Sequence, residues 1–260
     1  MSPSWPEAML ARLFPSHRLA MLPDRWVLRP AATAAQFEAQ FDAAAPLPAL
    51  EALLDQQGVR GRLRVTLSHQ HVRLFLAPAP PAWLQPAEMQ IWLDAALTPA
   101  LGAASPAGAW RLAWDLTPPG RPLVVAALPA ALLQGLAEVC RPRGIQLAGV
   151  RPWLAEAWQR RRRQLARATG WYAVLEPGRQ VLLRLQNGRV TGLRQRQAGA
   201  DAAAELQALL TREALLADLP AGGELWLERV GGRPDLQALA GRYSVHELAG
   251  PVDPAQAWLQ

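Results

Sequence analysis

The residue types that could do chemistry are few and widely spaced along the sequence. His69 and His71 are two positions apart, so on one strand they would present two imidazoles to a metal from the same face. No carboxylate lies near them in the sequence, and two ligands do not complete a metal site. We therefore expect an exposed hairpin turn at these histidines and no bound metal.

The other candidate catalytic groups are also weak. Glu224 and Glu228 could form an acid–base pair, but they fall on a strand pattern beside Arg229, which indicates a solvated surface. Cys140 has apolar neighbours and is interpreted as a core residue. The sequence contains no lysine and no G-x-S-x-G motif, which excludes a Walker lysine, a Schiff base and a nucleophile elbow.

Arginine supplies every fully basic side chain, and its densest run is Arg160, Arg161, Arg162 and Arg163. Consecutive residues wrap around a helix, so these four cannot all face one partner. Three interpretations stay open: a solvated helix between lobes, docking to an acidic protein surface or anionic lipid, and binding to nucleic-acid phosphates. The lack of an aromatic stacking strip on a strand argues against single-stranded nucleic acid.

Composition limits the class of protein. The 260 residues are 51% hydrophobic, which is enough for two modest lobes, and the net charge is +6. No apolar run approaches the roughly 18 residues of a membrane span, and residues 1–22 lack an uninterrupted signal-peptide core. With one cysteine as well, we expect a protein of the reducing cytoplasm.

The second half of the sequence predicts a βββαβαβ unit, the order of a ribonuclease H-like lobe. Three strands are expected over 171–176, 180–185 and 189–194, joined by the turn dipeptides Pro177-Gly178 and Asn187-Gly188. A helix, a strand, a helix and a strand are expected next, over 201–216, 224–229, 234–240 and 243–246.

The first half predicts a comparable set of elements. Strands are expected over 18–22, 25–29, 110–116, 122–127 and 144–150, and helices over 46–57, 86–97, 128–140 and 152–168. Alternation over 62–67 and again from Val72 to Leu76 predicts a hairpin closed by Ser68-His69-Gln70. We therefore predict lobes at 1–150 and 170–260, joined by an interlobe helix at 151–169.

Three stretches resemble one family. Residues 62–78, which contain the sequence VTLSHQHVRLFLAP, the alanine-rich strand, helix and strand of 122–150, and the hairpin of 181–194 resemble the M proteins of type IV pilus assembly. They equally resemble the cytoplasmic domain of type II secretion L proteins, in pattern order over residues 16–248. The resemblance implies an α/β, actin-like fold of two ribonuclease H-like lobes, and an assembly role at the inner membrane.

The sequence departs from the nucleotide-binding members of the actin-like class, in which a glycine- and hydroxyl-rich hairpin opens each lobe and grips phosphate. The first hairpin, residues 21–26, has no glycine, and Pro23 has no amide donor. The second, residues 175–180, has one glycine and neither serine nor threonine. We therefore predict that ATP is neither bound tightly nor hydrolysed, and that no cofactor is used.

The resemblance implies a non-catalytic scaffold that binds the N-terminal peptide of a membrane-anchored pilus or secretion protein, with an assembly ATPase and a second copy as further candidate partners. This would place the protein in the cytoplasm, associated with the inner membrane through its partner, without nucleic acid. The candidate partner-binding residues are Arg73, Trp83, Trp92, Arg160, Arg161, Arg162 and Arg163. The alternatives are a diverged actin-like ATPase and an arginine-rich nucleic-acid adaptor.

Overall fold

The computed structural model describes residues 16–81, 83–101, 108–114, 120–199, 201–220, 222–230 and 237–248. The strands are β1 Ser16–Met21, β2 Arg25–Arg29, β3 Phe37–Gln40, β4 Gly61–Leu67, β5 Arg73–Ala77, β6 Trp110–Trp114, β7 Leu123–Pro129, β8 Ile145–Pro152, β9 Gly170–Glu176, β10 Arg179–Gln186, β11 Arg189–Gln197, β12 Gly223–Arg229 and β13 Tyr243–Leu248. The helices are α1 Pro46–Gln56, α2 Pro86–Leu101, α3 Ala130–Cys140, α4 Trp153–Arg161, α5 Ala202–Leu216 and α6 Gln237–Ala240, with a 3-10 turn at Arg141–Arg143.

The two halves of the chain build sheets with the same topology. The first sheet has the order β3-β2-β1-β4-β8, and the second has the order β11-β10-β9-β12-β13. In both, the first three strands in the chain are antiparallel neighbours, and the last two are parallel to the central strand. The repeated strand order and direction confirm the predicted arrangement of two ribonuclease H-like lobes.

The predicted turns of the second lobe are confirmed. Gly178 has a φ of 75°, the left-handed value that a turn with proline before glycine requires. Asn187 and Gly188 have φ values of 51° and 72°, so both central residues of the β10–β11 turn are left-handed, as in a type I′ turn.

The predicted hairpin of 62–67 with 72–76 is wrong. β4 lies inside the first sheet, parallel to β1 and β8, whereas β5 pairs with β7 in a separate sheet of order β5-β7-β6. Alternation of apolar residues predicts a strand with a buried face, but it does not say which strand is the neighbour. The segment from β5 to β7, including α2, is therefore an insertion between β4 and α3.

Two smaller features also differ from the predictions. Strand β3 was missed because it is a four-residue, half-exposed strand at the sheet edge with weak patterning. The helix expected over 152–168 ends at Arg161, and turns follow over 162–167.

The main hydrophobic core is shared between the two lobes. It joins buried side chains of the first sheet and α4 to the inner face of the second sheet, including Leu19, Leu63, Val65, Trp153, Tyr172, Val174 and Leu183. A second cluster lies between the outer face of the second sheet and α5, and a third fills the insertion around Phe75, Leu93 and Val125. The lobes are thus packed against each other through apolar side chains.

Candidate functional site

Residues 68–72, which we call the clasp, connect β4 to β5 and contact the hairpin that opens the first lobe. The Ser68 amide donates to the Met21 carbonyl at 2.9 Å. The His71 side chain donates from Nε2 to the Leu22 carbonyl at 2.9 Å, which assigns the proton of the neutral ring to that nitrogen. These bonds attach the clasp to the β1–β2 hairpin.

The same segment contacts the hairpin of the second lobe through Glu176, the last residue of β9. The Ser68 hydroxyl donates to Glu176 Oε2 at 2.7 Å, and the His69 amide donates to Oε1 at 3.0 Å. The Gln70 side chain donates to the Pro177 carbonyl at 3.0 Å. The Glu176 side chain is excluded from solvent, so these donors stabilise a carboxylate that water does not reach.

Gln195 of β11 holds the clasp from a third direction. Its side-chain nitrogen donates to the His69 and Val72 carbonyls at 2.7 and 2.8 Å. Its oxygen accepts from the Leu74 amide at 2.8 Å. One glutamine therefore connects the edge of the second sheet to the clasp and to the first residues of β5.

The prediction of an exposed turn at the two histidines is wrong. His69 has no exposed surface, and its Nδ1 lies against the Glu176 carboxylate, while Nε2 has no hydrogen-bond partner among the described residues. The His71 ring lies 6.2 Å from the Phe41 ring, between centroids. Burial lowers the pKa of His71, only partly opposed by the Leu22 carbonyl and the Glu176 charge. No group of three or more metal-binding side chains occurs within the described part of the chain.

A second buried carboxylate lies on the same inner face of the second sheet. Glu228 is 1% exposed and accepts from Arg160 at 2.9 Å, from Arg161 at 3.3 Å and from the Tyr172 hydroxyl at 2.9 Å. The expectation of a solvated Glu228 is therefore wrong. Burial, followed by the charge of Glu228 and the hydrogen bond to it, raises the pKa of Tyr172 well above its usual value.

The seven candidate partner-binding residues fall into two groups. Arg160 and Arg161 are directed at Glu228, whereas Arg162 and Arg163 are exposed after the end of α4. The other three belong to the insertion or its approach: Arg73 is exposed on β5, Trp83 is 74% exposed, and Trp92 packs against the insertion core.

A cleft of about 880 Å³ lies between the insertion, α4 and the β10–β11 hairpin. Its apolar lining includes Leu74, Val124, Val150, Leu154, Trp158 and Val190. Arg121, Arg151 and Arg189 also line it, and all three are exposed. None of the seven candidate residues, all of which the structure describes, is among the lining residues. The sequence predicted most of these strands and α4, but not the sheet pairing that brings them together.

Among the described residues, no helix is both long enough and apolar enough to cross a bilayer. No protein-family model and no curated protein sequence matches the chain.

Solved structures show that the fold is that of the actin-like class. A Bacteroides thetaiotaomicron protein with an actin-like ATPase fold and unknown function superposes with a TM-score of 0.58 at 7% identity, over 89% of this chain and 90% of that one. The duplicated lobes and their strand order are thus those of a known architecture.

Within that class, two neighbours come from pilus and secretion systems. The chain matches the PilM–PilN type IV pilus biogenesis complex with a TM-score of 0.60 at 14% identity, over 87% of this chain and 84% of the matched one. It also matches the cytoplasmic domain of EpsL, an inner membrane component of the Vibrio cholerae type II secretion system. The TM-score is 0.52 at 16% identity, over 90% of this chain and 89% of the matched one. These matches agree with the resemblance read from the sequence and, at such identities, show the fold.

Removing the Glu176 carboxylate should destabilise the protein far more than removing an exposed one. Glu176→Ala leaves the Ser68 hydroxyl and His69 amide buried without an acceptor, so we expect the free energy of unfolding to fall by about 2–4 kcal/mol. Glu51→Ala, at a side chain that is 51% exposed, should change it by less than about 0.5 kcal/mol. Urea denaturation of both variants measures the difference, and equal losses would contradict a structural role for the clasp.

The lowered pKa of His71 predicts a direction of pH dependence. The folded state prefers the neutral ring, so the unfolded state binds more protons once the pH falls below the ordinary value of 6.5. This contribution to stability is complete above pH 6.5 and decreases as the pH falls from there towards the lower folded-state pKa. His71→Gln keeps a side-chain N–H donor without titrating, so its unfolding free energy should fall less steeply with acidification than that of the wild type. If the unfolding free energies of the wild type and the variant fall equally with pH, His71 is not the group responsible.

Proposed function

We propose that this protein is a non-catalytic, actin-like assembly adaptor that holds a short segment of a membrane-anchored pilus or secretion protein in the cleft. The observation that carries the proposal is the cleft of about 880 Å³, formed by three separate parts of the fold. A cavity of this size accommodates several side chains of a peptide. We place the protein on the cytoplasmic side of the inner membrane, held there by its partner.

The lining supports a peptide as the occupant. Leu74, Val124 and Val190 offer apolar contacts, and exposed arginines lie among them. An amphipathic segment with apolar anchors and acidic residues would match both features, because apolar anchors contribute affinity and charges contribute orientation. The segment before a membrane span is free to enter such a cleft.

The named neighbours support an assembly role. PilM is found in a complex with PilN in type IV pilus biogenesis, and EpsL is an inner membrane component of a type II secretion system. We transfer to this chain the general feature of a membrane-anchored partner. An assembly ATPase or a second copy would contact surfaces outside the cleft, for which exposed Arg73, Trp83, Arg162 and Arg163 are the candidates.

The clasp supports the absence of nucleotide chemistry. In the nucleotide-binding members of the actin-like class, hairpins at the start of each lobe grip phosphate. In this protein the clasp contacts both hairpins, and Glu176 accepts hydrogen bonds from Ser68 and His69. A buried carboxylate beside this position would also repel a phosphate. We infer that the clasp replaces the nucleotide as the link between the lobes.

The cleft can be tested by site-specific photo-crosslinking in the native bacterial membrane. A benzoylphenylalanine at position 190 should crosslink to a single-pass inner-membrane protein, through the segment that precedes its membrane span. The same probe at position 215, where Leu215 is exposed on α5, should not yield that product. Identical products from both positions, or none containing a membrane protein, would reject the cleft as the partner site. Crosslinked nucleic acid would favour the adaptor alternative.

The second test concerns ATP. A ligand at about 100 times its dissociation constant stabilises a protein by roughly 2.7 kcal/mol, or some 5–10 °C in melting temperature for a chain of this size. We expect no such shift with Mg-ATP at millimolar concentration and no hydrolysis. A clear shift, with hydrolysis that is lost in Asp24→Asn or Glu176→Gln, would establish the diverged ATPase instead.

A further inference from the structure

Four arginines lie together on one face of the first sheet, in the amino-terminal parts of β1 and β4, up to the middle of β4, and at the end of β2. Arg18 of β1 is the direct neighbour of Arg29 on β2 and of Arg64 on β4. Side chains of directly paired residues point to the same face, and so do residues two apart on a strand, which adds Arg62. The four guanidinium groups therefore share one surface across three adjacent strands. We call Arg18, Arg29, Arg62 and Arg64 the arginine face.

The arginine face is only partly balanced by negative charge within the described residues, where Glu156 of α4 is the carboxylate that acts on Arg18. None of its four members forms an ion pair there, although arginines nearby do: Arg25 pairs with Glu38 at 3.1 Å and Arg151 pairs with Glu156 at 3.6 Å. The Arg62 Nε atom is buried and has no hydrogen-bond partner among the residues that the structure describes. Burial and the charges of Arg29 and Arg64 lower the pKa of Arg18, and the charge of Glu156 opposes them only in part. Within the described residues, the mutual repulsion of the four arginines is thus only partly compensated.

The spacing of the arginine face matches the carboxylates of an extended chain. Residues two apart on a strand are roughly 6.7 Å apart, and neighbouring strands are roughly 4.8 Å apart. An extended peptide with an acidic residue at every second position presents carboxylates at the same 6.7 Å interval along one side. Each guanidinium can bind a carboxylate through two parallel hydrogen bonds. We propose that the arginine face binds an acidic, extended segment of a partner protein.

Two other anionic ligands fit less well. Arg18, Arg29 and Arg62 are half-buried and only Arg64 is exposed, so a planar layer of lipid headgroups would contact mainly one of them. Single-stranded nucleic acid binds through aromatic stacking as well as charge, and the next row of side chains on this face is Ala20, Val27 and Thr66. Trp26 lies on the opposite face and is buried.

The arginine face is distinct from the proposed partner cleft. None of its four residues lines the cleft, and Arg18 and Arg62 lie towards the strand ends opposite to the clasp. The two proposals therefore fail independently, because loss of acidic-peptide binding leaves crosslinking at position 190 unaffected.

The test uses the full chain and a fluorescent peptide of alternating Glu and Ala, read by anisotropy at low ionic strength, with the Gln–Ala peptide as a neutral probe. Arg18→Gln with Arg64→Gln should weaken binding of the acidic peptide about tenfold or more. The matched control, Arg111→Gln with Arg212→Gln, removes the same charge from exposed positions on β6 and α5 and should weaken binding less than about twofold. If the double variant does not fold, the single Arg64→Gln variant, at an exposed position, decides the question. It should weaken binding of the acidic peptide about threefold.

Four results would overturn the proposal. Equal weakening in the two double variants would show an effect of net charge alone. Binding of the neutral peptide with the same affinity would exclude carboxylate recognition. No binding by the wild type would exclude the site. Binding to phosphatidylglycerol vesicles through Arg18 and Arg64, without peptide binding, would assign the arginine face to lipid.

Discussion

Two buried carboxylates on the inner face of the second sheet set the arrangement of the whole molecule. Glu176 accepts hydrogen bonds from the clasp of the first lobe. Glu228 accepts three hydrogen bonds, two of them from the arginines of α4. Removing the partner of a buried charge costs several kcal/mol, much more than an exposed ion pair contributes. Separation of the lobes would leave both carboxylates without these hydrogen-bond donors. The relative position of the lobes therefore depends on electrostatics as well as on apolar packing.

Most of the fold was predictable from local patterns, and most of the site was not. The turns at Gly178 and Gly188 are specified by residues adjacent in sequence, so the second lobe could be predicted strand by strand. The clasp depends on Ser68 meeting Glu176, which is 108 positions away, and no periodicity reports such a contact. The alternation on either side of His69 was real, but one strand belongs to the lobe and the other to the insertion. Glu228 was misjudged because its arginine partners come from another element.

The clasp and the cleft are built from one continuous stretch of chain. β4 ends at the clasp, and β5 begins directly after it and supplies Leu74 to the cleft wall. Gln195 of the second lobe bonds to both parts, at the His69 carbonyl and at the Leu74 amide. The insertion is thus held in a fixed position relative to both lobes, at the point where it forms the cleft. Because the cleft is preformed, the protein itself would lose little conformational entropy on binding the peptide that we propose.

The shared hydrophobic core has a consequence for how this duplicated chain can be divided. Buried residues from Leu19 in the first sheet to Leu193 in the second belong to one contiguous cluster. Either half alone would expose the apolar face that the other half covers, together with Glu176 or the clasp groups that bind it. Although each sheet repeats the topology of the other, we therefore expect neither half to fold on its own. The repeat is one of topology, and we expect the chain to unfold as one cooperative unit.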